Sequence, residues 1–591
     1  MKLKQKMLCL VLSLCLLAAC LPLAAAAEDA TPQGVWTDYA ATTFAGGTGT
    51  KNDPYQIATA QQLALLAKDV NGGNPDVKHS GEYFVLTADI DLSDHVWRPL
   101  GYESYSSGGG SSQSFCSYFD GNGKKIVGLY VDERVGDKWG KNRNAGLFGC
   151  ISAVGTEPTI KNLIIENGTV LAGDGSTDAS YAAGLLVGSI TITGGSNVEY
   201  AVIENCTVSG TVSSAMYAGG LVGSANYTHL TNCRADVKVN GVCVSGGFIG
   251  GAFISTLTDC IATGKVSGGW ATGGFAGEFY KKVEAKHCAA FGSVEANDWN
   301  IGGFVGYTEE DVTVENSIAM GDVTSTLIPN YNPKAGGFVG TALNGVKLEK
   351  CHAAGKITTA STGNIGGMIA VGDGSSAADC SFDNEKNAAL AAVGNAVSGT
   401  YAVAAQETAA VLASICVDYY GGHDMKASAA KAPTCTKDGH EAGAECARCG
   451  HREGFAVVKA TGHTGGTATC KEKAICKNCN TPYGALDPHN HAALVKTEAK
   501  AATAQAEGNI AYWHCADCDK YFSDAAATTE IQKADTVTAK LQPASNGDKG
   551  EDPKSPETGD NVDPMRFVML LLVSGGAVIV AACSRKRRET V

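Results

Sequence analysis

Gly246-Gly-Phe-Ile-Gly250, echoed by Gly273-Gly-Phe-Ala-Gly277, Gly302-Gly-Phe-Val-Gly306 and Gly336-Gly-Phe-Val-Gly340, is the phrase on which the reading of this chain turns. Ala145-Gly-Leu-Phe-Gly149, Gly184-Leu-Leu-Val-Gly188 and Gly219-Gly-Leu-Val-Gly223 precede it, and Gly366-Gly-Met-Ile-Ala370 is a worn eighth copy. The closing positions lie 39, 35, 27, 27, 29, 34 and 30 residues apart. Such a period describes stacked units that can bury their apolar residues only against their neighbours. A second phrase follows most copies: an apolar strand, often a Cys, then Gly four and Val six residues on. It reads Cys206/Gly210/Val212, Cys260/Gly264/Val266, Cys288/Gly292/Val294, Ser317/Gly321/Val323 and Cys351/Gly355/Ile357, while Cys233 keeps Val239 but not the Gly. Alternation in these strands turns the large apolar side chains inward, and Gly permits tight bends and close backbone approach. The rival fold, a propeller, takes about 40 residues and four strands per blade, more than these repeats offer. The fold class expected is all-β, a right-handed parallel β-helix or β-solenoid.

The Gly-Gly-[Leu/Phe]-Val-Gly phrase resembles the GLUG motif of bacterial surface proteins, and the resemblance implies a β-helix. Gly46-Gly-Thr-Gly-Thr50, Asp53-Pro-Tyr-Gln-Ile57, Tyr83-Phe-Val-Leu-Thr-Ala-Asp-Ile-Asp91 and Tyr118-Phe-Asp-Gly-Asn-Gly123 are similar to the lead-in of such proteins. Between them, Gln61 to Val70 reads as a helix with Leu63, Leu66 and Ala67 on one face. It is expected to cap the first coil, because a bare solenoid end exposes strand edges. The resulting order is a lead-in and cap over 34–144, repeats over 145–385, and an Ala-rich linker over 386–410.

Cys206, Cys233, Cys260, Cys288, Cys351 and Cys380 recur once per repeat, and Ser317 replaces the fifth of the series. A stack of buried free thiols is expected, since Cys packs as a small apolar residue and a required ligand would not give way to Ser. From 411 to 541 the cysteines change character. Cys435, Cys446, Cys449 and His463 form one unit, and Cys470, Cys476, Cys479 and His489 form the next. A tight C-x2-C turn with a third Cys and a His matches the four tetrahedral ligands of structural zinc. The third unit keeps Cys515 and Cys518 but has Ala504 where the first Cys should stand, and no His downstream. Binding there would borrow His491 or His514, so that each His serves the following unit, with His423 serving the first and His463 the second. Disulfides, favoured outside the cell, and redox-active C-x2-C pairs remain open alternatives. These units resemble Cys-rich modules near the C termini of clostridial-type surface proteins, with Tyr512-Trp-His-Cys-Ala-Asp-Cys518 and Lys520-Tyr-Phe-Ser-Asp524 carrying the likeness.

The ends of the chain read as an address. Lys2, Lys4 and Lys6, the apolar stretch Met7 to Leu23 and the small residues to Ala27 form a signal peptide over 1–27. Leu17-Ala-Ala-Cys20 offers a lipobox as the rival processing site. At the other end, after a wall-spanning linker over 542–554, Ser555-Pro-Glu-Thr-Gly559, the apolar run Phe567 to Cys583 and Arg585-Lys-Arg-Arg588 resemble the tripartite sorting signal of Gram-positive surface proteins. The likeness implies recognition of Pro556 by a sortase, cleavage between Thr558 and Gly559, and covalent attachment to peptidoglycan. Ser555 departs from the usual Leu, and a plain transmembrane anchor is the alternative reading of 555–591. Removing the leader's +3 and the tail's +2 from the net −14 leaves −19 on the exposed part, which disfavours nucleic acid as a partner.

No His-Glu-x-x-His occurs, since Ala444 stands where His440-Glu441 would need its second His, and neither a defensible nucleophile elbow nor a phosphate loop is present. Asp89, Asp91, Asp120, Glu309-Glu-Asp311 and Asp383 are the carboxylates that a polysaccharide-cleaving β-helix could use. Asp89 and Asp91 read instead as turn-bonding groups, and Glu309 to Asp311 as a solvated loop. No catalytic residue is assigned. The expected function is that of a non-catalytic, wall-anchored, adhesin-like binder of a host, matrix or glycan ligand, with insertions at Tyr102 to Ser114 and Gly173 to Tyr181 as contact loops. A carbohydrate-active enzyme and a purely structural stalk are the alternatives.

Overall fold

A computed structural model describes residues 32–542 apart from 73–78, 104–111, 134–143, 153–155, 174–181, 192–198, 327–331 and 361–362. The signal peptide, the sorting signal with its apolar run, the wall-spanning linker beyond 542 and the greater part of both expected contact loops lie outside the described residues. Among the described residues no helix is long and apolar enough to cross a membrane.

One repeat shows how the fold is made. Asn300–Gly302 is a short strand; the chain turns through Gly303 and Phe304 into Val305–Glu309, bends at Glu310 and Asp311, and runs through Thr313–Glu315, Ile318–Ala319 and Val323–Ser325 before the next repeat begins. Each strand pairs in parallel with its counterpart one coil away. Val244, Ala271, Asn300, Lys334 and Asn364 are thus successive register partners. The stacked coils make sheets of 26, nine and eight strands, as a parallel β-solenoid requires.

The repeated phrase works by packing. Phe248, Phe275, Phe304 and Phe338 are buried in one column, with centroids 4.9, 4.7 and 4.7 Å apart and rings within 6° of parallel. Burial of each stabilises the stack by roughly 1.5–3 kcal/mol. The glycines around them are required by space. A Cβ on Gly302 would lie 2.0 Å from the Val305 carbonyl oxygen, and one on Gly303 would lie 2.1 Å from that of Gly337 on the next coil. None of Gly302, Gly303 and Gly306 has a left-handed backbone, so close approach, rather than a special φ, selects glycine here.

The thiol stack is present as expected: Cys206, Cys233, Cys260, Cys288, Cys351 and Cys380 are free and buried. Ser317 takes the same place, its hydroxyl donating to the Glu315 carbonyl at 2.8 Å, as the Cys288 thiol does to Lys286 at 3.4 Å. The residue before each carries the corner. Asn205, Asn232, Asp259, His287, Asn316, Lys350 and Asp379 all have φ between 47° and 56°, a region in which Asn and Asp are enriched. Asn232 donates to Asn205 at 2.7 Å, and Asn205 to Asn162 at 3.2 Å, a ladder of amides up the corner.

The first end is closed by a helix, and a second helix follows the last coil. Helix α1, Ala60–Asn71, begins at Thr59, whose hydroxyl accepts from the Gln62 amide at 3.3 Å. Its buried Leu63, Leu66 and Ala67 join the core, which fits the expected cap. The expected linker over 386–410 is corrected. Val393–Ala396 pairs with Ile369–Asp373, and Gly399–Gln406 with Ser375–Asp383, so the solenoid runs one coil further. Backbone hydrogen bonds hold this coil while its small, mostly exposed side chains leave little apolar pattern to read. Helix α2, Thr408–Asp418, follows at once.

The described residues form two compact units. The first reaches Ala432 and takes back Gly439–Val458; the second comprises Pro433–Asp438 and the chain from Lys459 onward.

Candidate functional site

The Cys and His residues after α2 gather into three centres: Cys416, His423, Cys446 and Cys449 in the first unit, then Cys435, His463, Cys476 and Cys479, and Cys470, His491, Cys515 and Cys518, in the second. In each, the C-x2-C pair sits at the tip of a β-hairpin. Gly443–Cys446 runs into Arg452–Gly454, Ala474–Ile475 into Pro482–Tyr483, and Tyr512–Cys515 into Lys520–Phe522. The residue after the second Cys, Gly450, Asn480 or Asp519, has φ of 70°, 57° and 57°, and its amide bonds back to the carbonyl of the first Cys at 2.9 Å. That turn aims both sulfurs to the same side.

Geometry discriminates between metal and disulfide. The Sγ atoms of Cys416 and Cys446 are 3.8 Å apart, and those of Cys435 and Cys476, and of Cys470 and Cys515, are 3.7 Å apart. A tetrahedral ion with metal–sulfur bonds of about 2.3 Å sets its sulfurs about 3.8 Å apart, whereas bonded sulfurs lie about 2.05 Å apart. The histidines present Nδ1 to the second Cys of each pair, at 3.2 Å for His423, 3.3 Å for His463 and 3.4 Å for His491. A ring backs each of them: His451 at 4.4 Å, Tyr483 at 5.1 Å and Phe522 at 4.6 Å between centroids.

Electrostatics prepares the thiolates. Burial opposes ionisation of Cys446, but the amides of Cys449 and Arg448 and the His423 ring outweigh it and hold the thiol at about 6. Burial likewise opposes Cys476, which the Thr464 amide and His463 bring down to about 5. The lone partners, by contrast, are pushed up by burial and by neighbouring sulfurs, to about 12 for Cys416 and Cys470 and about 11 for Cys435. Three crowded sulfurs cannot all ionise without a cation among them.

The ligand assignment from spacing is therefore corrected. Cys435 joins Cys476 and Cys479 rather than Cys446 and Cys449, and Cys470 joins Cys515 and Cys518. His489 is exposed, outside every such cluster among the described residues, and its amide bonds to Asp487. The alternative in which each His serves the following unit is the one the geometry realises, and the lone Cys follows the same rule. Cys416 was not read as a ligand because it sits inside an apolar helix. The same rule explains Ala504. The Thr503 amide bonds to the Ala506 carbonyl as Thr434 does to Lys437, so the turn persists, but its Cys would serve a fourth centre for which this chain has no ligands.

On the solenoid, Asp91 bonds to a turn as expected, while Asp89 reaches a strand of the neighbouring coil. Asp89 accepts from the Lys125 amide at 2.9 Å, Asp91 from the Ser93 amide at 2.9 Å, and Asp120 from the Asn122 amide at 2.8 Å. Buried Asp383 accepts from Lys386 and from the Thr408 hydroxyl. The expected solvated loop at Glu309 is corrected: Glu309 ends a strand and accepts from Asn344 at 2.8 Å and from the Tyr307 hydroxyl. It belongs to an aromatic and acidic strip across adjacent coils. Tyr217 hydroxyl lies 3.5 Å from Glu278, Trp270 meets Tyr307 at 5.3 Å between centroids, and Trp299, on the coil after Trp270, is 48% exposed. Burial pushes the Glu278 carboxyl up to about 7, against the Tyr217 hydroxyl, and Glu309 adds to the rise. These side chains sit outside the repeated phrase, which is why periodicity does not reveal them.

Comparison with known proteins agrees with the repeat architecture. Residues 214–240 match the GLUG motif. Halomucin of Haloquadratum walsbyi is 29% identical over 187 residues, 30% of this chain and 2% of the relative. A protein of Evansella cellulosilytica, provisionally named a Gly-rich membrane protein, is 32% identical over 171 residues, 28% of this chain and 15% of the relative. The chain thus spans only a small part of the length of these relatives. Among solved structures, a Bacteroides ovatus protein provisionally named an immunoglobulin A1 protease aligns with a TM-score of 0.36 and 19% identity, over 65% of this chain and 92% of its own.

Proposed function

We propose that this chain is a cell-surface protein whose solenoid binds a glycan without chemical turnover, carried on a metal-stapled spacer. The observation that carries the binding role is the strip of Trp270, Trp299 and Tyr307 beside Glu278 and Glu309. Aromatic faces suit the apolar faces of sugar rings, and carboxylates accept from their hydroxyls. Relatives that include a named membrane protein support a surface location. Sorting at Thr558 and Gly559, with a sortase and then peptidoglycan as partners, supplies the anchor on this reading. Zinc is the ion best matched to three Cys3His sets with these sulfur separations. With four protein ligands each, the centres are closed and serve stability.

One observation favours a second reading, a polysaccharide-cleaving solenoid: burial raises the Glu278 carboxyl to about 7, beside the Glu309 carboxylate, so that it can shuttle a proton near neutral pH. A solid-phase screen of the full-length chain, kept in detergent, against neutral and acidic polysaccharides separates the two. Saturable binding lost on combining Trp270→Ala with Trp299→Ala supports the proposal. Release of oligosaccharides abolished by Glu278→Gln installs the second reading, and absence of both refutes the strip as a site.

A further inference from the structure

Helix α2 lies against the flank of the solenoid. Its Val411, Ile415 and Tyr419, one stripe at four-residue spacing, pack on Ala289, Ile318 and Ala354, with Ile261 and Met320 at the margin. Those solenoid residues stand on the outer wall, where a side chain faces water unless something covers it. Polar ties flank the stripe: His352 Nε2 meets Asp418 at 2.9 Å, and His287 Nε2 meets the Tyr419 carbonyl at 2.6 Å. Beside the stripe, the same helix presents Cys416 to Cys446. Gly421 and Gly422, with φ of 69° and 139°, then turn the chain so that His423 reaches Cys449.

The helix has only 11 residues, and no side-chain hydrogen bond from its N-cap, Glu407, supports its first turn. A helix of that length is marginal alone. The segment that meets its second face has no apolar core of its own: from Tyr420 to Val458 the buried residues of the first unit are Gly439 and Cys446. What joins that segment to α2 is the ligand set itself, helped by the Tyr420 and Gly422 amides bonding back to the Ile415 and Cys416 carbonyls.

We infer that a metal ion held by Cys416, His423, Cys446 and Cys449 is a clasp that keeps α2 closed over the apolar strip Ala289, Ile318 and Ala354. The inference rests on the metal reading of the Cys/His centres and adds a role that a merely local staple would lack. Filling this centre ties the helix to a three-stranded sheet, Met425–Ser428, Gly443–Cys446 and Arg452–Gly454. Emptying it leaves the helix with its stripe, the two histidine contacts and the Thr408 bonds to Asp383 and Glu385 at its start, and the outer wall of three coils becomes intermittently bare.

The test is hydrogen exchange by mass spectrometry on the full-length chain in detergent, with Zn2+ as the only added metal, before and after chelation. Chelation should raise exchange over residues 408–419 by roughly tenfold or more, and Cys416→Ser should reproduce that rise while one equivalent of zinc is lost. Cys470→Ser should also cost one equivalent but leave 408–419 protected. Unchanged protection of 408–419 after three equivalents have been removed overturns the clasp and leaves the metal reading intact. Failure to bind any zinc overturns both. Should Cys416→Ser not fold, the chelation arm on the unaltered chain decides.

Discussion

Replacing Gly303 by Ala probes the principle on which the solenoid is built. The new methyl would sit 2.1 Å from the Gly337 carbonyl oxygen and 3.2 Å from the Ala319 methyl. The first distance is roughly 1 Å inside any tolerable carbon–oxygen contact. Both neighbours belong to backbone or to a one-carbon side chain, so no rotamer change relieves the clash. The rung between two coils must open instead, breaking the Gly303-to-Gly336 bond of 3.2 Å and the Phe304-to-Phe338 bond of 2.9 Å. Two buried groups left unsatisfied cost about 1–3 kcal/mol each, giving a destabilisation of about 2–6 kcal/mol. Because coils contact only their neighbours, the loss should be local, concentrated on the coils around Gly303 and fading toward Ala145. Native-state hydrogen exchange read coil by coil measures it, with Gly123→Ala, whose methyl meets nothing within 4 Å, as the control at a strained turn. A change below about 1 kcal/mol at Gly303 would refute the close-approach account of the motif.

Cys260→Ser should shift stability by about 1 kcal/mol or less, since Ser317 already fills the equivalent place with the same hydrogen bond; a thermal melt showing a larger loss would mean the thiols do more than pack. Asn232→Val should cost about 2–3 kcal/mol, combining a left-handed backbone with loss of the amide ladder, whereas Asn232→Gly should recover most of the backbone part. Equal effects of the two in urea titration would contradict the corner assignment. Burial holds the His352 ring below its ordinary value despite Asp418. The folded state therefore keeps it neutral, its contribution is intact above about pH 6.5, and stability falls as the pH drops through that value because the unfolded chain gains the proton. Comparing the melting temperatures of the unaltered chain and His352→Gln at about pH 7.5 and about pH 5.5 should show a smaller acid loss in the variant.

The repeat body was legible because every coil must solve the same packing problem. Phe304 and Phe338 recur with Gly303 and Gly337 for steric reasons that leave no other residue, and such constraints print themselves as a period. The last coil, Val393 to Gln406, was illegible because pairing by backbone asks little of its side chains. The metal centres were half legible. C-x2-C turns are local and name themselves, but Cys416, Cys435 and Cys470 are brought in from 30, 41 and 45 residues away. Proximity in sequence therefore pairs them with the wrong hairpin. The aromatic strip was missed for a third reason: Trp270, Tyr307 and Glu278 vary from coil to coil.

The order of the ligands has a consequence for proteolysis. The first centre spans 416 to 449, the second 435 to 479 and the third 470 to 518, so successive spans overlap. Every peptide bond from Cys416 to Cys518 is thereby enclosed by at least one centre, and those between Cys435 and Cys449 or between Cys470 and Cys479 by two. A single cut anywhere in this region leaves both fragments holding ligands to a common ion. With the ions bound, a nicked molecule would keep its distal part, and shedding by cuts within this region would require three of them, for example on both sides of Cys435 and between Cys449 and His463, or a chelator.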